Sequence, residues 1–311
     1  MDKKRIIIAG GSGFLGKNLH KYFSEKGFEV KILSRSQASN TFLKWDAKHI
    51  GAWAEALEGA YALINMTGRT VDCRYNEKNK AEILSSRLES TAILGKAVLA
   101  CKVPPKHWLN SSTATIYVHT EGEKVANTEA NGIIGDDFSM GVAKAWEKEF
   151  YRHARPETLQ VALRSSIIMG AAGGAFPVMA KLARKGLCSP QGNGQQWISW
   201  MHMTDFCQAI MFILEHQLAG PVNMCAPNPV QNFVFNRLLK EHARPWFVIP
   251  QPVWVLKVGA WMLRTQTELI LKSRKVVPEK LLKAGFEFSF PKAELMVADL
   301  FETAIASTSQ R

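Results

Sequence analysis

The sequence has little with which to build a metal centre or a disulfide framework. Its five cysteines, Cys73, Cys101, Cys188, Cys207 and Cys225, are an odd set without a Cys-x-x-Cys pair, and no clustered histidines complete a zinc ligand set. That usage predicts reduced thiols, a cytoplasmic setting and no bound metal. Only Ile6 to Ala9 lie between the basic start and Gly10-Gly11, too short an apolar stretch for a secretory leader. No fixed-period repeat or long low-complexity run occurs either.

A long hydrophobic run is also missing. The most apolar stretch, 246–263, is broken by Pro250, Gln251, Pro252 and Lys257. The part after Pro252 is about 12 residues, or about 18 Å at helical rise, short of a bilayer core. A buried or surface-docked helix is expected there, and no transmembrane segment. Negative charge is scarce, with 39 Lys and Arg against 27 Asp and Glu for a net +12. Such an excess fits an anionic small-molecule ligand, an acidic partner or merely a basic solvated surface. No recognition motif or aromatic-interleaved basic stripe points to specific nucleic-acid binding.

What is present is ample apolar content, 47% of 311 residues, enough for one large core and a smaller appended one. Strand-like and helix-like segments alternate through the first half. Strands are predicted at 5–9, 29–33, 61–66, 107–111 and 158–163, and helices at 14–26, 77–101 and 138–153. Beyond Arg164 the pattern loosens, leaving a helix at 204–215, a short strand at 221–224 and a helical tail. The expected fold is an α/β, Rossmann-like, doubly wound parallel sheet with a smaller, mostly helical C-terminal substrate domain. The dinucleotide-binding part is assigned to 1–165, with 203–225 returning to it, and the substrate side to 166–202 and 226–311.

The strongest motif lies between the first strand and the first helix: Gly10, Gly11, Ser12, Gly13, Phe14, Leu15 and Gly16. Glycines at this spacing permit a tight turn and let backbone N–H groups approach a pyrophosphate, which the positive helix end stabilises. The same stretch fits Gly-x-x-x-x-Gly-Lys, but Asn18 stands where a nucleotide-triphosphatase loop needs Ser or Thr for magnesium. The end of the second strand reads Ser34-Arg35-Ser36 in place of an acidic residue. A cation and hydroxyls suit a 2′-phosphate, so NADP(H) is favoured over NAD.

These residues, with Asn65-Met66-Thr67-Gly68 and Asn110-Ser111-Ser112-Thr113-Ala114-Thr115-Ile116-Tyr117, resemble the extended short-chain dehydrogenases/reductases, nucleoside-diphosphate-sugar epimerases among them. Ser86-Arg87 with Thr91, Ala145-Trp146-Glu147, Gly173-Gly174-Ala175, Trp197 to His202 and Gly285-Phe286 are similar to the YfcH-like group of that family. The resemblance implies coenzyme contacts at Met66, Thr67, Gly68, Ser86, Ser111, Ser112 and Arg164, alongside the glycine turn and Ser34-Arg35.

The resemblance also implies a Tyr acid/base followed four residues later by a Lys that lowers the phenol's pKa. Here Met140 precedes Lys144 by that interval, and Phe138 and Val142 occupy the same helix. The literal Tyr22-x-x-x-Lys26 match falls on the first helix, away from any nicotinamide. Thr113 keeps the family's hydroxyl position and is a catalytic candidate. Tyr117 is either a substitute proton donor or a ring packed at the strand's end, and Val118 stands where related proteins usually have Gly.

Trp197, Trp200 and His202 are candidates for a substrate pocket wall, Arg74 for meeting an anionic group, and Asp205 for a helix cap or a hydrogen-bond partner. The polar stretch 119–137 reads either as a lid or as a plain surface loop. Two functions follow: an NADP(H)-dependent oxidoreductase or epimerase with a nonstandard acid/base, or an inactive NADP(H)-binding sensor or partner-binding protein. Oligomeric state is not legible.

Overall fold

The computed structural model describes residues 3–36, 38–249 and 272–309. Most of the stretch 246–263, read above as a docked helix, therefore lies outside the described residues.

The first half alternates as the periodicity predicts: β1 (Arg5–Ala9), α1 (Phe14–Glu25), β2 (Glu29–Ser34), β3 (Phe42–Lys44), β4 (Ala62–Asn65), α2 (Glu77–Ala100), β5 (His107–Thr113), α3 (Phe138–Tyr151) and β6 (Leu159–Ser165). β3 is the one strand here without a sequence signal, being three residues long at the sheet's edge.

The chain continues through β7 (Ile167–Gly170), β8 (Gly173–Gly174), α4 (Phe176–Arg184), β9 (Trp197–Ile198), β10 (Trp200–His202), α5 (Met203–Glu215), β11 (Gly220–Met224), β12 (Val230–Gln231) and α6 (Asn232–Ala243). After the undescribed stretch come α7 (Glu279–Lys283) and α8 (Ala293–Ser309).

Seven parallel strands form the main sheet in the order β3-β2-β1-β4-β5-β6-β11. Helices cover both faces, so successive β1 side chains all meet apolar neighbours. Ile6 and Ile8 pack with Leu19 and Phe23 of α1 and Phe206 and Ile210 of α5. Ile7, between them, faces Leu94 and Val98 of α2 and Phe150 of α3. Each such fully buried side chain contributes about 1.5–3 kcal/mol, which is why the strand reads as an unbroken apolar run rather than an alternating one. The fold is thus a doubly wound, Rossmann-like sheet.

Strand order reverses between β1 and β4, the switch point where such sheets open a crevice at their carboxyl ends. α5 and β11 return to this sheet, β11 pairing with β6 from Gly220↔Val161 to Met224↔Ser165. A separate, largely helical cluster gathers Phe176 of α4, Trp200, Phe235 and Leu238 of α6, and Met296, Leu300 and Phe301 of α8. Among the described residues no helix is long and apolar enough to cross a membrane, and no three His, Cys, Asp or Glu side chains are grouped to hold a metal. All five cysteines are free thiols.

Candidate functional site

The turn after β1 is closed so tightly that only glycine fits at three of its positions. Gly10 has φ +79°, and a Cβ there would lie 2.7 Å from the Met66 carbonyl carbon and oxygen. On Gly11 it would meet the Ile32 side chain at 2.6 Å, and on Gly16 the Gly11 Cα at 2.4 Å. Gly13 donates to the Gly10 carbonyl at 3.2 Å and caps α1 with no side-chain acceptor. No acidic residue lies in the first turn, so the positive end of α1 is not neutralised by an anion of its own helix. This is the cradle a pyrophosphate requires.

The competing triphosphatase reading fails on geometry, because the Asn18 amide donates back to the Phe14 carbonyl at 2.8 Å. The Phe14 ring packs on Gly170, Gly173 and Gly174, where a Cβ would come within 2.8 Å of it. Those glycines explain the Gly173-Gly174 pair seen in the sequence. At the end of β2, Ser34 is buried and accepts from the Ser36 amide at 3.3 Å, while Arg35 is exposed. The register Ala9↔Leu33 sets Arg35 just past the sheet edge beside the glycine turn.

Across the switch point, Asn65 ties the ends of β4 and β5 together. Its Nδ2 donates to Asn110 Oδ1 at 2.6 Å and to Thr91 Oγ1 at 3.2 Å, and its Oδ1 accepts from the Thr67 amide and hydroxyl. Beyond it opens a cleft of about 260 Å³ lined by Met66, Thr67 and Gly68 after β4, Ser111, Ser112 and Thr113 of β5, and one face of α3. Thr113 Oγ1 accepts from the Thr115 amide at 3.1 Å and donates to Thr115 Oγ1 at 2.9 Å. Ser111 Oγ lies 3.1 Å from Met66 Sδ, and Ser112 Oγ donates to Glu147 at 2.6 Å.

The face of α3 in the cleft is Phe138, Ser139, Val142 and Trp146. Met140 and Lys144, matched above by spacing from Lys144, are turned elsewhere: Met140 is buried against the Gly135 position, and Lys144 pairs with Asp136. Phe138 and Val142, one turn apart, both face the cleft, and neither can exchange a proton.

Several candidates from the sequence are not brought to this cleft. Tyr117 is fully buried, its hydroxyl accepting from Arg164 at 2.8 Å and donating to Asn223 at 2.9 Å. Arg164 completes a bidentate pair with Glu147, at 2.9 and 2.8 Å. Both serve one buried network linking β5, β6, α3 and β11, which corrects the proton-donor role for Tyr117 and the coenzyme contact for Arg164. Burial raises the Tyr117 phenol above its ordinary pKa despite the guanidinium beside it. Trp200 is fully buried in the C-terminal helical cluster.

His202 caps α5, accepting from the Thr204 amide at 3.1 Å, with Asp299 at 3.2 Å from its other nitrogen. Burial pulls its pKa below the usual histidine value. Asp205 is not the cap, but accepts from the Ser289 and Phe290 amides. Trp197 donates to the Gly122 carbonyl at 2.9 Å under the Lys275 ammonium, and Arg74 is exposed outside the cleft. Ser86 accepts from the Arg69 amide at 3.0 Å, fixing the loop ahead of α2. The 119–137 stretch is pinned rather than loose, with Thr120 donating to Ser273 and Asn127 to Lys275. Val71, Tyr75 and Ile83 line the cleft without having been expected there, and Arg87, quoted above within a motif, had no site role assigned to it. The signal was there for Arg87, a cation one turn before Thr91 on a helix face that is buried further along.

A family model described as the NAD dependent epimerase/dehydratase family matches residues 6–225, spanning the whole main sheet. The chain belongs to that family. A second model, a domain of unknown function, matches 251–300. The epimerase family protein YfhF of Bacillus subtilis is 31% identical over 95% of this chain and 97% of its own. The human epimerase family protein SDR39U1 is 30% identical over 93% of this chain and 96% of its own. A crystal structure of human SDR39U1, isoform 2, with NADPH superposes with TM-score 0.85 at 29% identity, over 96% of this chain and 99% of that one. The family resemblance drawn from the motifs therefore holds along nearly the full length.

Proposed function

We propose that the protein is an NADP(H)-binding atypical short-chain dehydrogenase/reductase, an oxidoreductase or nucleotide-sugar epimerase-like enzyme that works on a small molecule without the usual Tyr-x-x-x-Lys pair. The observation that carries the reading is the glycine cradle, where a Cβ on Gly10 or Gly16 would overlap backbone. Amides from Gly11 to Leu15 would hold the pyrophosphate, and Ser34 and Arg35 the 2′-phosphate. Met66, Thr67, Gly68, Ser111 and Ser112 would border the nicotinamide ribose. NADPH in the human relative supports the same choice here. The coenzyme supplies or accepts a hydride when bound.

Of this chain's own residues, Thr113 would orient a substrate carbonyl or hydroxyl, turning its Oγ1 proton from Thr115 to the ligand. Phe138, Val142 and the buried Trp146 exclude water from that end of the cleft. The division into 1–165 with 203–225, and 166–202 with 226–311, belongs to this proposal, supported by the pairing of β11 with β6. So does a reducing, cytoplasmic setting, supported by five free thiols.

A second reading, an NADP(H)-binding sensor without turnover, draws on the same apolar Phe138 and Val142. A screen of carbonyl compounds and nucleotide sugars, following NADPH consumption and product isomers, separates the two. Turnover lost in Thr113→Val supports the enzyme. Tight NADPH binding with no turnover across the screen supports the sensor, and absence of NADPH binding removes both.

A further inference from the structure

We infer that the ligand of the cleft is an anion and that Arg87 receives its charge, holding a compact carboxylate beside the Tyr75, Phe138 and Trp146 rings. The inference rests on the coenzyme reading, since the cleft adjoins Met66, Thr67 and Gly68 where the nicotinamide end would lie.

Arg87 projects from α2 as a half-buried guanidinium that is already immobilised. Its Nη1 donates to the Ile83 carbonyl at 2.9 Å and to the Arg69 carbonyl at 3.1 Å. Its Cζ lies 5.0 Å from the centre of the Trp146 ring. Nε and Nη2 donate to no acceptor among the described residues, and the side chain lines the cleft. Those two nitrogens form the side-on fork that matches both oxygens of a carboxylate.

No carboxylate of the described residues pairs with Arg87. The nearby acids are engaged elsewhere, Glu82 with Arg69 and Glu147 with Arg164. Burial pulls the guanidinium pKa below its ordinary value, the mark of a cation that has lost water without gaining a counter-ion. A ligand anion would offset that loss, and prior immobilisation lowers the entropy cost of binding it. The glycine turn does not line this cleft, so the coenzyme's diphosphate has its own seat. A volume of about 260 Å³ suits a compact acid.

The full-length protein, with and without saturating NADPH, is titrated with benzoate and with benzyl alcohol by tryptophan fluorescence and calorimetry. Expected is saturable benzoate binding, with benzyl alcohol weaker by roughly tenfold or more, the usual value of a charge-assisted hydrogen-bond pair. Arg87→Gln should lose benzoate by a similar factor while keeping NADPH, and Arg87→Lys should fall between.

No benzoate binding by the wild type, equal binding of benzyl alcohol, or an unchanged Arg87→Gln overturns the inference. Parallel loss of NADPH in Arg87→Gln also overturns it, by giving the guanidinium to the coenzyme. Should that variant fail to fold, the wild-type comparison of acid and alcohol still decides. Failure of the wild type to bind NADPH is read separately and sinks the coenzyme proposal instead.

Discussion

Phe138 and Val142 stand one helical turn apart on the cleft face of α3, the spacing at which a phenol and an ammonium would cooperate. Neither carries an ionisable group. Phe138→Tyr should give a phenol of raised or ordinary pKa, near about 10. Adding Val142→Lys should lower that phenol by about one unit, because a cation one turn away favours the phenolate. Ultraviolet difference titration of the two variants checks this, and identical titrations would mean that the two positions do not share the cleft.

Substitution in the glycine turn should act on both stability and binding. In Gly10→Ala the Cβ would sit 2.7 Å from the Met66 carbonyl at a φ of +79°. The expected cost is about 1–3 kcal/mol of strain, with NADPH affinity falling as Met66 moves. Urea unfolding and coenzyme fluorescence measure the two effects, and a variant as stable and as avid as wild type contradicts the cradle.

Arg35 is exposed at the end of β2. Arg35→Ala should weaken NADPH by roughly tenfold to a hundredfold, from one lost charge-assisted contact of about 1.5–3 kcal/mol, and leave NADH unaltered. Equal losses for both coenzymes would remove the 2′-phosphate from the argument.

The buried pair of Arg164 and Glu147 is expected to be structural. Glu147→Ala strands a buried guanidinium and should cost about 3–5 kcal/mol. Tyr117→Phe removes one donor and one acceptor, at about 1–3 kcal/mol. NADPH affinity of Tyr117→Phe should match wild type. A selective loss of turnover in Tyr117→Phe without loss of stability would restore it as a proton donor.

His107 is buried at the start of β5, edge-on to Tyr61 at 5.1 Å, and desolvation lowers its pKa from 6.5 to about 4. Between those values the unfolded chain binds the proton and the folded chain does not, so stability falls as pH drops from 6.5 towards 4. The full effect is about 3 kcal/mol. His107→Phe should flatten the pH dependence of the thermal midpoint over that window. An unchanged slope would assign it to other groups.

The glycine turn was legible because its requirements are local. A strand of Ile6, Ile7 and Ile8, a Gly-rich turn and a helix follow one another in the chain, and the crevice they open depends only on their succession. The position of Arg35 was legible for the same reason, one residue beyond a strand paired with β1. The cleft was not. Spacing from Lys144 pointed to Met140, but the packing of Ala143 and Phe150 sets the rotation of α3 and turns Lys144 toward Asp136. Tyr117 and Arg164, 47 residues apart, meet only because β5 pairs with β6.

From its letters alone the chain determined a parallel sheet, a glycine turn too tight for side chains and a cation at the end of β2, all of which are short-range consequences of glycine sterics, strand hydrophobicity and chain succession. Only tertiary packing decided which polar groups were sealed inside and which were left facing the cleft. A guanidinium has the same chemistry at Arg164 and Arg87. What differs is whether folding brings a carboxylate to it, and that depends on strand pairing and helix rotation rather than on neighbours in sequence.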